Sequence, residues 1–146
     1  MPAPTYQEFC EDYCNYYFDG SAPEKGRGFI IEHNGNVAGF ISYASFHLKP
    51  SKAELDIWMN SLVNCGKGFG TDAIIALGDY LNETLGVNQL IMRPSAKNKN
   101  AIKSYKKAGL EESGAQPQDY MLEECLDMYG DGDYGEDETA LLIKNF

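Results

Sequence analysis

The sequence of 146 residues predicts one α/β domain built around a mostly antiparallel β-sheet. Three observations predict this fold class. First, two strand-like segments meet at Asn34-Gly35, a dipeptide that favours a tight hairpin, and a third strand-like segment follows them. Second, a glycine-rich segment leads directly into a helical pattern. Third, a short apolar strand, a second helix and a final strand follow that helix.

The N-terminal half predicts a helix and then three antiparallel strands. TYQEFCEDYCNYYF places apolar and aromatic residues at helical spacing, and we expect this helix to end near Asp19-Gly20. GFIIEHNGNVAGFISYASF supplies the two strands of the hairpin, and AELDIWM supplies the third strand. Glu54 and Asp56 are two residues apart on that third strand, so they share one of its faces.

The C-terminal half predicts helix, strand, helix and strand. Apolar residues recur at helical spacing from Ala73 to Leu85. VNQLIMRPS is a short apolar strand that Pro94 ends, and NKNAIKSYKKAGL is a helix with Asn98 as N-cap and Gly109 at its end. ETALLIKNF predicts the last strand, whereas QDYMLEECLDM fits neither period cleanly, so helix and strand both stay open there.

Composition narrows the class of protein. The net charge is −10, with 12 basic and 22 acidic residues, which argues against nucleic acid as the main partner because a phosphate backbone requires a basic surface. No apolar run reaches membrane-spanning length and the N-terminal residues do not resemble a secretory signal, so we expect a cytoplasmic protein without a membrane partner. The four cysteines form no CxxC pair, which favours reduced thiols over disulfides or a metal site.

The charges are unevenly distributed along the chain. Residues 93–107 hold six of the 12 basic residues and no acid, whereas residues 123–138 hold eight acids and no base. This division suits a polyanionic cofactor at one place and a cationic substrate at another. A solvated acidic loop explains the acidic run equally well.

The segment CGKGFGTDAI has three glycines within five residues at the start of a predicted helix. Glycine costs helix stability, so this arrangement is expected where the backbone approaches something closely, such as a ligand, or adopts positive φ. The free N–H groups and the positive dipole end of a helix N-terminus bind phosphate well. The segment is neither a Walker A loop nor a dinucleotide-binding G-x-G-x-x-G loop, because its lysine and its last glycine are wrongly spaced.

These features together resemble the GNAT acetyltransferase superfamily, over roughly Phe29 to Leu110. GKGFGT matches the turn with which that family holds the pyrophosphate of acetyl-CoA, although Cys65 stands where Arg or Gln is usual. The family's second pattern, N-x-x-A-x-x-x-Y followed by a glycine, is met by Asn98, Ala101, Tyr105 and Gly109. The two patterns lie at the expected separation, with a strand between them.

The resemblance implies a GNAT-like mixed, mostly antiparallel and splayed sheet flanked by helices on both faces. It implies a single acetyltransferase domain over residues 1–146. We expect this domain to depart from the family in two places, by lacking its first strand and by carrying an acidic insertion at about 119–138. Acetyl-CoA is the implied co-substrate. The implied cofactor-binding residues are Gly66, Lys67, Gly68, Phe69, Gly70, Thr71, Asn98 and Lys103.

Acetyl transfer to an amine requires a neutral amine, a polarised carbonyl and a thiolate that can leave. The resemblance implies that Tyr105 is the general acid, and a tyrosine hydroxyl can protonate a departing thiolate when it is well positioned. Glu54 or Asp56 is the candidate base, or the group that binds a cationic amine. Two acids that simply face solvent on a half-exposed strand are the alternative.

The resemblance also indicates a class of acceptor. The order of residues in MRPSAKNKNAIKSYKKAGLEESG resembles the aminoglycoside 6'-N-acetyltransferases, and Trp58 after Glu54-Leu55 resembles a branch that also includes ribosomal-protein acetyltransferases. We therefore expect the primary amine of a cationic small molecule such as an aminoglycoside. A protein or peptide amine, and a non-catalytic CoA-binding regulatory module, are the alternatives. The acidic segment lacks a calcium-loop pattern and is compatible with a lid or with a homodimer contact.

Overall fold

The structure of the protein, a computed structural model, describes residues 5, 7, 15–61, 66–129 and 138–146. The strands are β1 (Gly26–His33), β2 (Asn36–Ala44), β3 (Lys52–Met59), β4 (Gln89–Met92), β5 (Glu111–Glu112) and β6 (Leu142–Asn145). The helices are α1 (Tyr16–Asp19), α2 (Phe69–Leu85), α3 (Lys99–Lys107), α4 (Pro117–Tyr120) and α5 (Leu126–Tyr129), with a 3₁₀ turn at Glu123–Cys125. Most of the predicted N-terminal helix, Cys65 and the centre of the acidic segment lie outside the described residues.

The six strands form one sheet in the order β1-β2-β3-β4-β6-β5. Every neighbouring pair is antiparallel except β3 and β4, which are parallel. This parallel pairing joins only Lys52–Glu54 to Gln89–Ile91, whereas β3 continues to Met59. We call the opening beyond Glu54, between β3 and the end of β4, the cleft. The predicted mixed, mostly antiparallel and splayed sheet is confirmed.

The hairpin between β1 and β2 has the turn that the sequence predicts. Asn34 and Gly35 have φ angles of 51° and 78°, and the flanking residues His33 and Asn36 are paired. Two successive residues with positive φ match the twist of the flanking strands, and asparagine and glycine adopt this conformation at low cost. The local sequence therefore fixes the register of the first two strands.

The larger hydrophobic core lies between one face of the sheet, the first face, and helices α2 and α3. Its buried side chains from strands and helices include Ile41, Tyr43, Ala53, Leu55, Ile74, Leu77, Leu81, Leu90, Met92, Ile102 and Leu142. Glycines in the left-handed conformation flank α2, with φ of 84° at Gly68 and 68° at Gly86. Residues with side chains adopt this conformation only with strain, so the glycines set both ends of the helix.

The opposite face, the second face, is covered at β4 and β6 by the segment from α4 to α5. The side chains packed there are Leu48, Ile91, Tyr120, Met121, Leu122, Cys125, Leu126, Leu141 and Ile143. Met121 is extended and bridges Leu48, so it separates α4 from the 3₁₀ turn. QDYMLEECLDM is therefore a series of short helical turns around an extended residue, and for this reason it fits neither period. Helices cover both faces of the sheet, as predicted.

Two further expectations bear on the described residues. No helix within them is long and apolar enough to cross a membrane. Cys125 is a buried free thiol, in agreement with reduced cysteines, while Cys10, Cys14 and Cys65 lie outside the described ranges.

Candidate active site

The glycine turn lies at the N-terminus of α2. Gly66 and Gly68 have φ angles of 75° and 84°, and a Cβ built on either would meet nothing within 4 Å. Glycine is thus needed here for the backbone conformation and not because a neighbour is close. Gly68 provides no side-chain cap, so the first N–H groups of α2 are not bonded by its N-cap residue. This geometry suits an anion bound by main-chain groups.

Two side chains hold the turn against the rest of the fold. The Phe69 ring packs on His33 at the end of β1, with ring centroids 4.4 Å apart. The Thr71 hydroxyl lies 2.8 Å from the hydroxyl of Ser104 and donates to the Ser104 carbonyl oxygen at 3.3 Å. Since the Thr71 hydroxyl is used between helices, its N–H is the group left to contact a cofactor. These contacts join the start of α2 to the middle of α3.

Helix α3 begins as predicted and presents a cationic surface. The Asn98 side chain accepts a hydrogen bond from the Ala101 N–H at 3.1 Å, which is the N-cap interaction expected of it. Lysines and one apolar residue line a shallow depression of about 560 Å³: Lys99, Ile102, Lys103, Lys106 and Lys107. Lys103 therefore lies in a surface suited to phosphate groups.

Tyr105 is half-buried on α3 and packs against the core of the first face. It lies next to Ser104, which contacts the start of α2. The structure thus places Tyr105 on the same side of the sheet as the glycine turn and the lysine-rich helix.

The two candidate carboxylates lie on the second face. Glu54 is partly buried, with 15% of its side chain exposed, and its oxygens accept hydrogen bonds from Arg93 Nη2 at 2.8 Å and from Arg93 Nε at 2.9 Å. His47 Nε2 lies 3.4 Å from a Glu54 oxygen, and only 2% of the His47 side chain is exposed. Burial raises the pKa of Glu54, but the hydrogen bonds from His47 and Arg93 outweigh it and hold this pKa below its usual value. Glu54 therefore stays ionised and accepts a proton poorly.

Asp56 lies in different surroundings. It is exposed, and it is paired in the sheet with Ser42, a small residue. Its position, two residues beyond Glu54, is past the point where β3 stops pairing with β4. Asp56 therefore faces solvent beside the cleft, on the face opposite to α2 and α3.

Three residues of this region were not identified from the sequence: His47, Arg93 and Tyr120. Arg93 begins the basic run in the sequence, but its side chain is 6% exposed and is bound to Glu54, so it does not belong to the lysine surface of α3. Burial raises the pKa of Tyr120, and the charge of Arg93 beside it opposes that effect. The one available signal was an arginine directly after the apolar strand QLIM.

The predicted site residues thus fall into two groups on opposite faces of the sheet. The glycine turn, Asn98, Lys103 and Tyr105 are together on the side of α2 and α3, while Glu54 and Asp56 are on the other. In the described part of the chain no strand pairs with the β4-facing edge of β3 beyond Glu54. The cleft is therefore the place where a molecule held by the first group can meet one held by the second.

A family model described as an acetyltransferase (GNAT) domain matches residues 1–111. This match spans more than half of the chain and defines an acetyltransferase. The chain belongs to the GNAT acetyltransferase family. The predicted class of enzyme, an N-acetyltransferase, and the predicted co-substrate, acetyl-CoA, are confirmed at the level of the family. No curated protein matches the sequence.

Solved structures of other acetyltransferases have the same fold. Aminoglycoside acetyltransferase AAC(6')-Ib in complex with coenzyme A and kanamycin is 21% identical, with a TM-score of 0.64 over 90% of this chain and 73% of that one. Spermidine N-acetyltransferase from Vibrio cholerae in complex with CoA and spermine is 19% identical, with a TM-score of 0.69 over 99% and 78%. The Campylobacter jejuni N-acetyltransferase PseH is 14% identical, with a TM-score of 0.62 over 97% and 82%. These similarities establish the fold.

Proposed function

We propose that the protein transfers the acetyl group of acetyl-CoA to the primary amine of a small cationic molecule. One observation carries the proposal: the glycine turn and Tyr105 lie on one side of the sheet, the exposed Asp56 lies on the other, and the cleft connects them. Both substrates can therefore approach one point from opposite faces.

The donor is bound mainly by backbone groups. N–H groups of Gly66 to Thr71 hold the pyrophosphate, helped by the dipole of the 17-residue helix α2, and Lys67 and Lys103 add positive charge. The pantetheine arm, which contains two amides, runs along the open edge of Leu55–Met59 and pairs with its main-chain groups. This path brings the thioester into the cleft.

The chemistry then needs few side chains. Asp56 binds the ammonium group of the acceptor and receives its proton directly or through water. The neutral nitrogen attacks the thioester carbonyl and a C–N bond forms, which leaves a positive charge on the nitrogen. This nitrogen loses its second proton to water, and the C–S bond breaks. The Tyr105 hydroxyl gives its proton to the departing sulfur and is reprotonated from solvent. Glu54 is the less suitable proton acceptor, because Arg93 and His47 stabilise its ionised form.

The acceptor is a cationic amine, because an exposed carboxylate lies at the cleft and the chain has a net charge of −10. Aminoglycosides are the first class to examine. The sequence resemblance favours them, and a structural neighbour binds kanamycin, although another neighbour binds spermine. Peptide amines remain the competing class of acceptor.

The proposal is tested by thiol release from acetyl-CoA with aminoglycosides, polyamines, simple amines and short peptides, beside a calorimetric titration with CoA. We expect CoA binding and turnover with at least one cationic small molecule. Turnover with peptides alone would change the acceptor class. CoA binding without turnover would favour a regulatory module, and no CoA binding would contradict the proposal.

A substitution separates catalysis from binding. Tyr105→Phe keeps the ring and removes the hydroxyl, so we expect kcat to fall by about 100-fold, the lower end of what acid–base groups contribute, with an unchanged Kd for CoA. Tyr80→Phe is the matched control, because Tyr80 lies on α2, is 42% exposed and packs edge-on against Phe29 through its ring. Equal kcat values for the two variants would remove Tyr105 from the mechanism.

A further inference from the structure

A row of large apolar side chains crosses the second face beside Asp56. The register pairs Trp58 with Phe40, and Phe40 with Ile30, so the three side chains form one line across β3, β2 and β1. Trp58 is 64% exposed and Ile30 is 60% exposed. We call this line the aromatic row. Large side chains exposed together on a monomer surface commonly mark a binding site.

The neighbouring row, by contrast, is built from small residues. Asp56 is paired with Ser42, and Ser42 is paired with Gly28. A Cβ added at Gly28 would collide with the ring of Phe40, so Phe40 lies over the place that a side chain of β1 would take. Glycine at position 28 is thus needed to let the Phe40 ring lie down against the sheet.

The position of Phe40 fixes that of Trp58. The two rings meet edge-on, with centroids 5.6 Å apart and an interplanar angle of 73°. The Trp58 indole therefore packs against its neighbour while most of its surface remains in solvent. On the same strand face, positions two residues apart are about 7 Å apart, which places the indole near the Asp56 carboxylate.

We propose that Trp58 determines acceptor specificity by packing on a ring that carries the reacting amine, while Asp56 holds the ammonium group. The proposal rests on the proposed function and narrows its acceptor to ring-bearing amines. A flat, rigid indole matches the flat face of a sugar or hydrocarbon ring. A linear polyamine must immobilise several rotatable bonds to make the same contact, and each costs free energy.

Charge supports the same assignment. The second carboxylate of this face, Glu54, is engaged by Arg93, so the described part of the face offers Asp56 as the exposed acid beside the aromatic row. One carboxylate next to an apolar surface suits one ammonium group next to an apolar ring.

The test compares two amines of equal charge and equal carbon number, cyclohexylmethylamine and heptylamine, by thiol release at saturating acetyl-CoA. For the wild type we expect the ratio of kcat/KM for cyclohexylmethylamine to kcat/KM for heptylamine to be at least ten. In Trp58→Ala this ratio should fall below two, chiefly through a higher KM for the ring amine. Trp58→Phe should restore much of the ratio. Kanamycin and spermidine extend the comparison to polycations, with the same ranking expected.

Controls exclude trivial explanations. Phe146→Ala removes a 45% exposed ring near Gly78 of α2, on the first face, and should leave the ratio unchanged. Thermal unfolding reports that each variant is folded. A ratio near one in the wild type, or a ratio that Trp58→Ala leaves unchanged, would overturn this inference but not the proposed function.

Two other outcomes would also contradict it. If Trp58→Ala changed the molecular mass in light scattering and left the ratio intact, the aromatic row would be a contact between two copies of the chain. If no amine were acetylated at all although CoA bound, the proposed function would fail together with the inference.

Discussion

Glu54 and Asp56 lie two residues apart on the same face of β3, yet they belong to two different regions. Glu54 is at the closed end, where β3 still pairs with β4 and where Arg93 and His47 surround it. Asp56 is at the open end, past the last pairing, and is exposed. Two carboxylates on one strand face therefore differ in their surroundings: Glu54 is held in an ion pair at the closed end, whereas Asp56 is exposed at the open end, where we propose that it meets the substrate.

The largest expected effect comes from breaking the closed end. Arg93→Met leaves the partly buried Glu54 carboxylate without its bidentate partner, so we expect a loss of about 3–5 kcal/mol in the free energy of unfolding. Urea denaturation measures it. Lys97→Met is the control, since Lys97 and Glu138 form an exposed pair at 3.0 Å worth less than about 1 kcal/mol. Similar losses in the two variants would mean that the closed end has no special stabilising role.

The second prediction concerns activity at the open end. Asp56→Asn removes the charge that holds the ammonium group, so we expect kcat/KM for a cationic amine to fall by about 100-fold. Because Asp56 is exposed, the free energy of unfolding should change by less than about 0.5 kcal/mol. Asp79→Asn, an exposed acid on α2, should change neither quantity. A kcat/KM unchanged in Asp56→Asn would show that this carboxylate does not bind the acceptor.

The smallest effect is a pH dependence of stability. The pKa of Glu54 is lowered in the folded protein from its ordinary value of 4.5, so below that value the unfolded state binds more protons and stability rises with pH. The contribution is complete above about pH 4.5 and is lost as pH falls through the folded pKa. Unfolding midpoints measured in urea across this range should show the slope in the wild type.

Glu54→Gln should flatten that slope. Glu112→Gln is the comparison: the hydrogen bond from Lys106 also lowers the pKa of Glu112, but solvent screens this surface ion pair, so its effect on the slope should be smaller. If both substitutions changed the slope equally, the acid sensitivity would not originate in the pair of Glu54 and Arg93.

Features set by adjacent residues could be predicted from the sequence. The Asn34-Gly35 turn, the Asn98 N-cap and the left-handed glycines before α2 each depend on the conformational preferences of one or two residues. The order of elements from β1 to α3 and the last strand followed from their periodicity, whereas the two-residue strand β5 and the short turns from α4 to α5 did not. The GNAT family followed from two motifs and their separation.

Features that depend on contacts between distant residues could not be predicted from the sequence. Arg93 reaches Glu54 across 39 positions because β3 and β4 pair in parallel, and nothing local in the sequence indicates which acid it meets. His47 joins them through the loop between β2 and β3. Gly28 is another example, because the Phe40 ring on the next strand leaves no room for a side chain at position 28. Sequence periodicity gives the face of a residue but not its neighbours across the sheet.

The central claim is that the donor extends from the glycine turn along the open edge of β3 into the cleft. Hydrogen–deuterium exchange with and without CoA tests it directly, because bound main-chain amides exchange more slowly. We predict that CoA protects Gly66–Thr71 and the amides of Leu55–Met59 that face the cleft, and leaves the β1–β2 hairpin turn unchanged. CoA binding that protects neither segment would contradict this placement of the donor.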